Sequence, residues 1–123
     1  MRRALAAVAL AAALAAAVAA CGSGTTRPDL PNASAARGKQ LIEYYGCGAC
    51  HVIGGIAAAN GRVGPSLRGF SGKREIAGVL PNTAGNVVRW IMNPQQISPR
   101  TDMPDLGVGE RGARSIAAYL YGQ

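Results

Sequence analysis

Cys47, Cys50 and His51 stand in one short run, Cys47-Gly48-Ala49-Cys50-His51, and His51 is the single histidine of the 123 residues. A C-x-x-C-H order reads as an attachment site for a c-type haem. In that chemistry the two thiols add to the two vinyl groups of one porphyrin, and the adjacent imidazole binds the iron from one side. Two intervening residues let a single backbone turn place both sulfurs and aim the next side chain at the metal. The small side chains of Gly48 and Ala49 let such a turn lie flat against a ring.

An iron held by His51 has a second axial position. With no other histidine, a bis-histidine site within one chain is excluded. Methionine is the usual alternative, and the chain offers Met1, Met92 and Met103. Met1 falls in a leader segment. Met92 follows Trp90-Ile91 in a predicted helix, where methionine commonly fills core space. Met103 lies in the irregular run Thr101-Asp102-Met103-Pro104, stiffened by Pro104 and free to approach a ring from the face opposite His51. Met103 is therefore the expected ligand and Met92 a packing residue. A vacant or water-filled sixth position is the alternative; it would suit a haem enzyme or gas sensor, although no distal His, Arg or carboxylate pair is placed to activate peroxide. Two readings without haem are weaker. A thiol–disulfide couple of the C-x-x-C type belongs on a βαβ pattern that this chain lacks. A zinc site would have to recruit Cys21, 26 residues before Cys47.

The elements that must position these residues are helical. Ser34 is a plausible N-cap, and Ala35, Gly38, Ile42 and Tyr45 follow at helical spacing, predicting a first helix that leads into the cysteine run. Gly38 inside it costs about 1 kcal/mol against alanine, which predicts a close packing contact there. Residues 52–73 are rich in glycine and read as loop. A second helix is expected over 84–92, started at Asn82 or Thr83 and stopped by Asn93-Pro94. Residues 97–109 are again irregular. A last helix is expected over 110–121, with Ala113, Ile116, Ala117 and Leu120 on one stripe, Glu110 at its start and Gly122 as its stop. One Phe and one Trp make a thin core for a domain of this size. A buried porphyrin would supply the missing apolar mass, and long loops would wrap it.

The N-terminus has its own logic. Met1-Arg2-Arg3 precedes an apolar run of 17 residues over 4–20, a signal-peptide pattern. A membrane span usually needs about 20 such residues, so a retained anchor is the second choice. The run ends Val18-Ala19-Ala20-Cys21-Gly22, which resembles a bacterial lipobox with Cys21 as the lipidated residue; Val18 stands where leucine is commoner. Lipidation would also account for the third cysteine, an odd thiol once two are assigned to haem. The expected organisation is a signal peptide over 1–20, a lipidated Cys21 with a flexible tether over 21–33, and one domain over 34–123. As a coil the tether would span about 20 Å. Without Arg2 and Arg3, 11 Lys and Arg stand against 6 Asp and Glu, a formal +5; two ionised haem propionates would bring this to about +3. No basic run is dense enough to suggest nucleic acid. A solvated cationic surface and an acidic docking partner both fit.

With these residues in view, the chain resembles class I cytochrome c, particularly the small bacterial domains found alone or fused to subunit II of haem–copper oxidases. The matching segments are Gly38-Lys39-Gln40-Leu41-Ile42, Tyr45-Gly46-Cys47-Gly48-Ala49-Cys50-His51, Gly64-Pro65-Ser66-Leu67, Leu80-Pro81-Asn82-Thr83, Trp90-Ile91, Asn93-Pro94, Met103-Pro104 and Ala118-Tyr119-Leu120. The resemblance implies an all-α fold, with three main helices and long loops around one covalent haem. It implies thioethers at Cys47 and Cys50 and an axial pair of His51 and Met103. The Pro65 carbonyl would accept a hydrogen bond from His51, unless Gly64-Pro65 is an ordinary turn. Trp90 would lie near a propionate, or else serve as a core aromatic. Tyr119 would cross the first helix near Gly38. Ile42 departs from the commoner aromatic, leaving Tyr44 or Tyr45 to share that packing. The implied function is electron transfer without catalysis, in a respiratory chain on the periplasmic side of a bacterial membrane. The donor would be a quinol-oxidising complex or another cytochrome, and the acceptor a terminal oxidase.

Overall fold

The computed structural model describes residues 28–123. The expected signal segment, Cys21 and residues 22–27 of the expected tether lie outside the described residues. Among the described residues the architecture is all-α, with helices α1 (Ala35–Tyr44), α2 (Ala84–Met92), α3 (Pro94–Ile97) and α4 (Glu110–Tyr121). No described helix is long and apolar enough to cross a membrane.

Local chemistry sets the helix ends. Ser34 is extended, and its hydroxyl accepts from the Arg37 N–H at 3.2 Å, capping α1. Thr83, rather than Asn82, caps α2 by accepting from the Asn86 N–H at 3.3 Å. Asn93 closes α2, and Pro94 then opens the single turn α3, since a fixed φ and a missing N–H suit the first helical position. In α4 the expected stripe of Ala113, Ile116, Ala117 and Leu120 is at most 4% exposed.

Helices α1 and α4 cross at Gly38. A Cβ on Gly38 would overlap the Ser115 carbonyl and press on the Ile116 nitrogen, so the two backbones meet with no side chain between them. The same crossing satisfies the buried Ser115, whose hydroxyl accepts from the Ser34 N–H at 3.3 Å. Tyr119, expected to cross α1 near Gly38, lies beside Ala35, Ala36 and Lys39, one turn on from the Ser115 contact, because an approach that excludes a methyl cannot itself admit a phenol ring. Its hydroxyl donates to the Gly54 carbonyl at 2.8 Å and pins the loop that follows His51. Ile42 is 1% exposed in the core, Tyr45 packs partly against that core, and Tyr44 is 81% exposed. Complete burial of Ile42 and Ile53 contributes about 1.5–3 kcal/mol each.

The glycine-rich stretch is mostly loop but carries an isolated bridge between Val52 and Asn60 and a 3-10 turn at Phe70–Gly72. Beyond it, β1 (Glu75–Ile76) pairs antiparallel with β2 (Leu80–Pro81), Ile76 opposite Leu80. Part of the expected tether, at Asp29 and Leu30, lies against the domain. Leu30 packs on the core cluster, and the Ala33 N–H donates to the Leu30 carbonyl at 3.2 Å.

Two glycine substitutions should have opposite signs. Gly38→Ala should destabilise the protein by about 1–3 kcal/mol through overpacking, whereas Gly85→Ala, in α2 with nothing within 4 Å of its added methyl, should stabilise it by about 0.4–1 kcal/mol. Chemical denaturation of both variants checks the pair.

Candidate functional site

The cysteine run occupies the turn that leaves α1. Tyr45 ends the helix, Gly46 takes a left-handed conformation at φ 69° that only glycine adopts freely, and Cys47–Ala49 form a 3-10 turn. The Cys47 carbonyl accepts from the Cys50 N–H at 3.2 Å and the His51 N–H at 3.0 Å, which fixes the relation of all three side chains. The following loop clamps this turn from outside. The Gly61 N–H donates to the Gly48 carbonyl at 3.0 Å and the Gly64 N–H to the Cys50 carbonyl at 2.8 Å. Three glycines permit that closeness: a Cβ on Gly48 would strike Ala59, one on Gly61 the Ala49 carbonyl, and one on Gly64 the His51 ring. Gly61 was read only as loop and Gly64 as the start of the Gly64-Pro65-Ser66-Leu67 segment; their contacts make them the bed on which the turn and the imidazole lie.

His51 is oriented by a single strong bond, 2.7 Å from its Nδ1 to the Pro65 carbonyl oxygen. A carbonyl can only accept, so Nδ1 carries the proton and the neutral ring keeps its Nε2 lone pair for a metal. Gly64-Pro65 is therefore more than a turn.

His51 opens on an apolar cleft with an enclosed volume of about 140 Å³ and a mouth open to solvent. Cys47, His51, Pro65, Trp90 and Met103 all line it, with Ile42, Phe70, Ile91, Val108, Ile116 and Leu120 among its apolar walls. Cys50 is half-buried beside the turn and is not among the lining residues. Met92 packs on the core from another groove, with Leu30, Val88 and Arg114, and does not reach the cleft. Trp90 is 8% exposed, a wall of the cleft as well as a core aromatic. Two charged residues that sequence reasoning did not single out, Lys73 and Glu75, also line the cleft; only the hairpin beyond Phe70 brings them there.

The donor set fits a porphyrin-borne iron. Among the described residues no cluster of three His, Cys, Asp or Glu could hold a bare ion. An imidazole and a thioether suffice as protein ligands when a macrocycle supplies the other four. Burial pushes the Cys47 thiol up from its ordinary value, Cys50 adds to that direction, and a backbone hydrogen bond opposes it. That is the reverse of the depressed thiol expected of a dithiol redox couple.

The cytochrome c family profile matches residues 35–122. The cytochrome c oxidase subunit 2 of Alkalihalophilus pseudofirmus is 33% identical over 87 residues, which cover 70% of this chain and 25% of that protein. The subunit 2 of Bacillus subtilis is 30% identical over 94 residues, covering 72% of this chain and 26% of that protein. The chain thus spans about a quarter of the length of these relatives. No solved structure matches it significantly. With the profile running from the first residue of α1 to the end of α4 and the haem-type turn inside it, the chain belongs to the cytochrome c family of haem-binding electron-transfer domains.

Proposed function

We propose that this chain is a mono-haem c-type cytochrome with His51 and Met103 as axial ligands, passing single electrons in a respiratory chain to a terminal oxidase. The observation that carries the reading is the gathering of Cys47, His51 and Met103 on one apolar cleft, with His51 Nδ1 committed to Pro65. When bound, the haem supplies an iron that changes by one electron between ferric and ferrous. The chain's residues do the rest. Cys47 and Cys50 hold the ring through thioethers. The Pro65 carbonyl fixes the imidazole and raises its basicity. Met103 would hold the iron from the cleft side opposite His51 and leave no open position for substrate, and its soft sulfur would favour the reduced state. Ile42, Phe70, Ile91 and Leu120 keep water away, which favours the reduced state further. Trp90 offers an indole N–H for a propionate at the cleft wall.

The oxidase acceptor rests on the similarity to oxidase subunit 2. A quinol-oxidising complex or another cytochrome would be the donor. The leader pattern over 4–20 and Cys21 support a domain on the periplasmic side of a bacterial membrane, held by lipid, where tethering would raise its effective concentration near membrane oxidases.

Expression with a cytochrome-maturation system should yield a red protein whose pyridine haemochrome gives one haem per chain. Cys47→Ser or Cys50→Ser should cut that yield severely, and a colourless wild-type product would sink the proposal. Met103→Ala should retain haem but lose the far-red methionine-to-ferric-iron band and bind CO when ferrous. Its potential should fall by a measurable share of the roughly 0.8 V that axial ligation spans. An unchanged band and potential would remove Met103 from the iron. Mass spectrometry of the membrane-bound protein should find a diacylglyceryl modification at Cys21, and Cys21→Ser should release the domain into the periplasmic or culture fraction.

A further inference from the structure

We propose that Asn82 is a positioning residue that holds one wall of the cleft closed and so sets how well water is excluded from the iron. This rests on the haem reading above. The wall is the stretch 70–77. Phe70, Lys73, Glu75, Ile76 and Ala77 all line the cleft, yet only Phe70 and Ile76 are buried. Gly69 enters the stretch at φ 60°, Ala77 leaves it at φ 52° and Gly78 follows at φ 70°. A segment with so few buried anchors and such permissive residues is entropically costly to order.

Asn82 supplies the side-chain ties. Its Nδ2 donates to the Phe70 carbonyl at 3.0 Å and the Lys73 carbonyl at 2.8 Å, using both amide hydrogens. Both partners can only accept, so the amide orientation is settled. Its Oδ1 accepts from the Tyr121 hydroxyl at 2.6 Å, and its backbone N–H donates to the Arg74 carbonyl at 2.9 Å. Tyr121 sits at the end of α4 with its ring edge-on to Phe70, centroids 5.3 Å apart. Burial pushes its phenol above the ordinary tyrosine range, so the donor stays protonated at physiological pH. One side chain therefore fastens the first half of a loose wall, 70–73, to the last turn of α4. No other residue type offers two donors and one acceptor on so short a stem.

Asn82→Ala removes all three side-chain bonds, and Tyr121→Phe removes only the one to Oδ1 while keeping the ring on Phe70. In Asn82→Ala holoprotein the amides of Gly72 and Lys73 should exchange with solvent about ten-fold faster or more, the loss of roughly one hydrogen bond of protection. The haem potential should fall while the far-red methionine band persists, because the lever moved is burial and not ligation. Tyr121→Phe should shift both readouts in the same direction by less. Unchanged potential and exchange in folded Asn82→Ala protein would overturn the proposal, as would loss of the methionine band. If Asn82→Ala fails to form holoprotein, unchanged readouts in Tyr121→Phe overturn it. A wild-type protein without haem would instead defeat the underlying reading, and the exchange comparison would still decide whether Asn82 holds the wall.

Discussion

Backbone contact between α1 and α4 at Gly38 governs the rest of the molecule. A crossing without room for a methyl group fixes the separation of the two helices. The end of α1 is therefore placed to within little freedom, and Gly46 turns directly from it into Cys47. From α4, Ile116 and Leu120 become the floor of the cleft into which that turn faces. Three further residues of the same helix radiate outward from the crossing. Ser115 receives the cap of α1, Tyr119 pins Gly54 behind His51, and Tyr121 reaches Asn82 behind the opposite wall. One helix thus registers the turn, the loop after it and the wall across from it.

Around His51 the same economy holds with polar groups. Pro65 lends a carbonyl that cannot donate, which decides the tautomer without any charged partner. A carboxylate in that position would orient the ring equally well but would bring negative charge beside the iron and favour the oxidised state. A neutral acceptor and apolar walls bias the same way, as would the Met103 thioether under the proposed ligation. The charges that do reach the cleft, Lys73 and Glu75, sit two residues apart on one exposed segment and carry opposite signs.

Much of this was legible in the residues, for physical reasons that differ by element. Helices α1, α2 and α4 announce themselves because each carries a 3.6-residue stripe bounded by a cap or a stop, and Gly38 announces its contact because an interior glycine is otherwise a cost. Loop glycines are harder. Gly48 and Gly64 stand in readable motifs and Gly61 only in a glycine-rich loop, but the function of all three is absence of volume against particular atoms, which depends on partners elsewhere in the chain. Strands of two residues, as in β1 and β2, are too short to show alternation. Asn82 was visible as a cap candidate, since Asn before a helix commonly caps it. With Thr83 in that role, its amide turns to carbonyls that no local pattern reveals.

Leu30 bears on how the domain would be presented at a membrane. The groove it occupies is lined by Val88, Arg89 and Met92 from α2, whereas the cleft takes Val87, Trp90 and Ile91 from the same helix. The two faces share no lining residue. Under the proposed anchoring at Cys21, Leu30 is held by the domain, and the nine steps from Cys21 to Leu30 extend at most about 32 Å. A leash that short, leaving from the Met92 side of α2, would restrict rotation of the domain while keeping its attachment clear of the cleft. Such a tether favours exchange with a partner fixed in the same membrane over diffusion between distant ones, because effective concentration falls steeply once the required span exceeds the linker's reach.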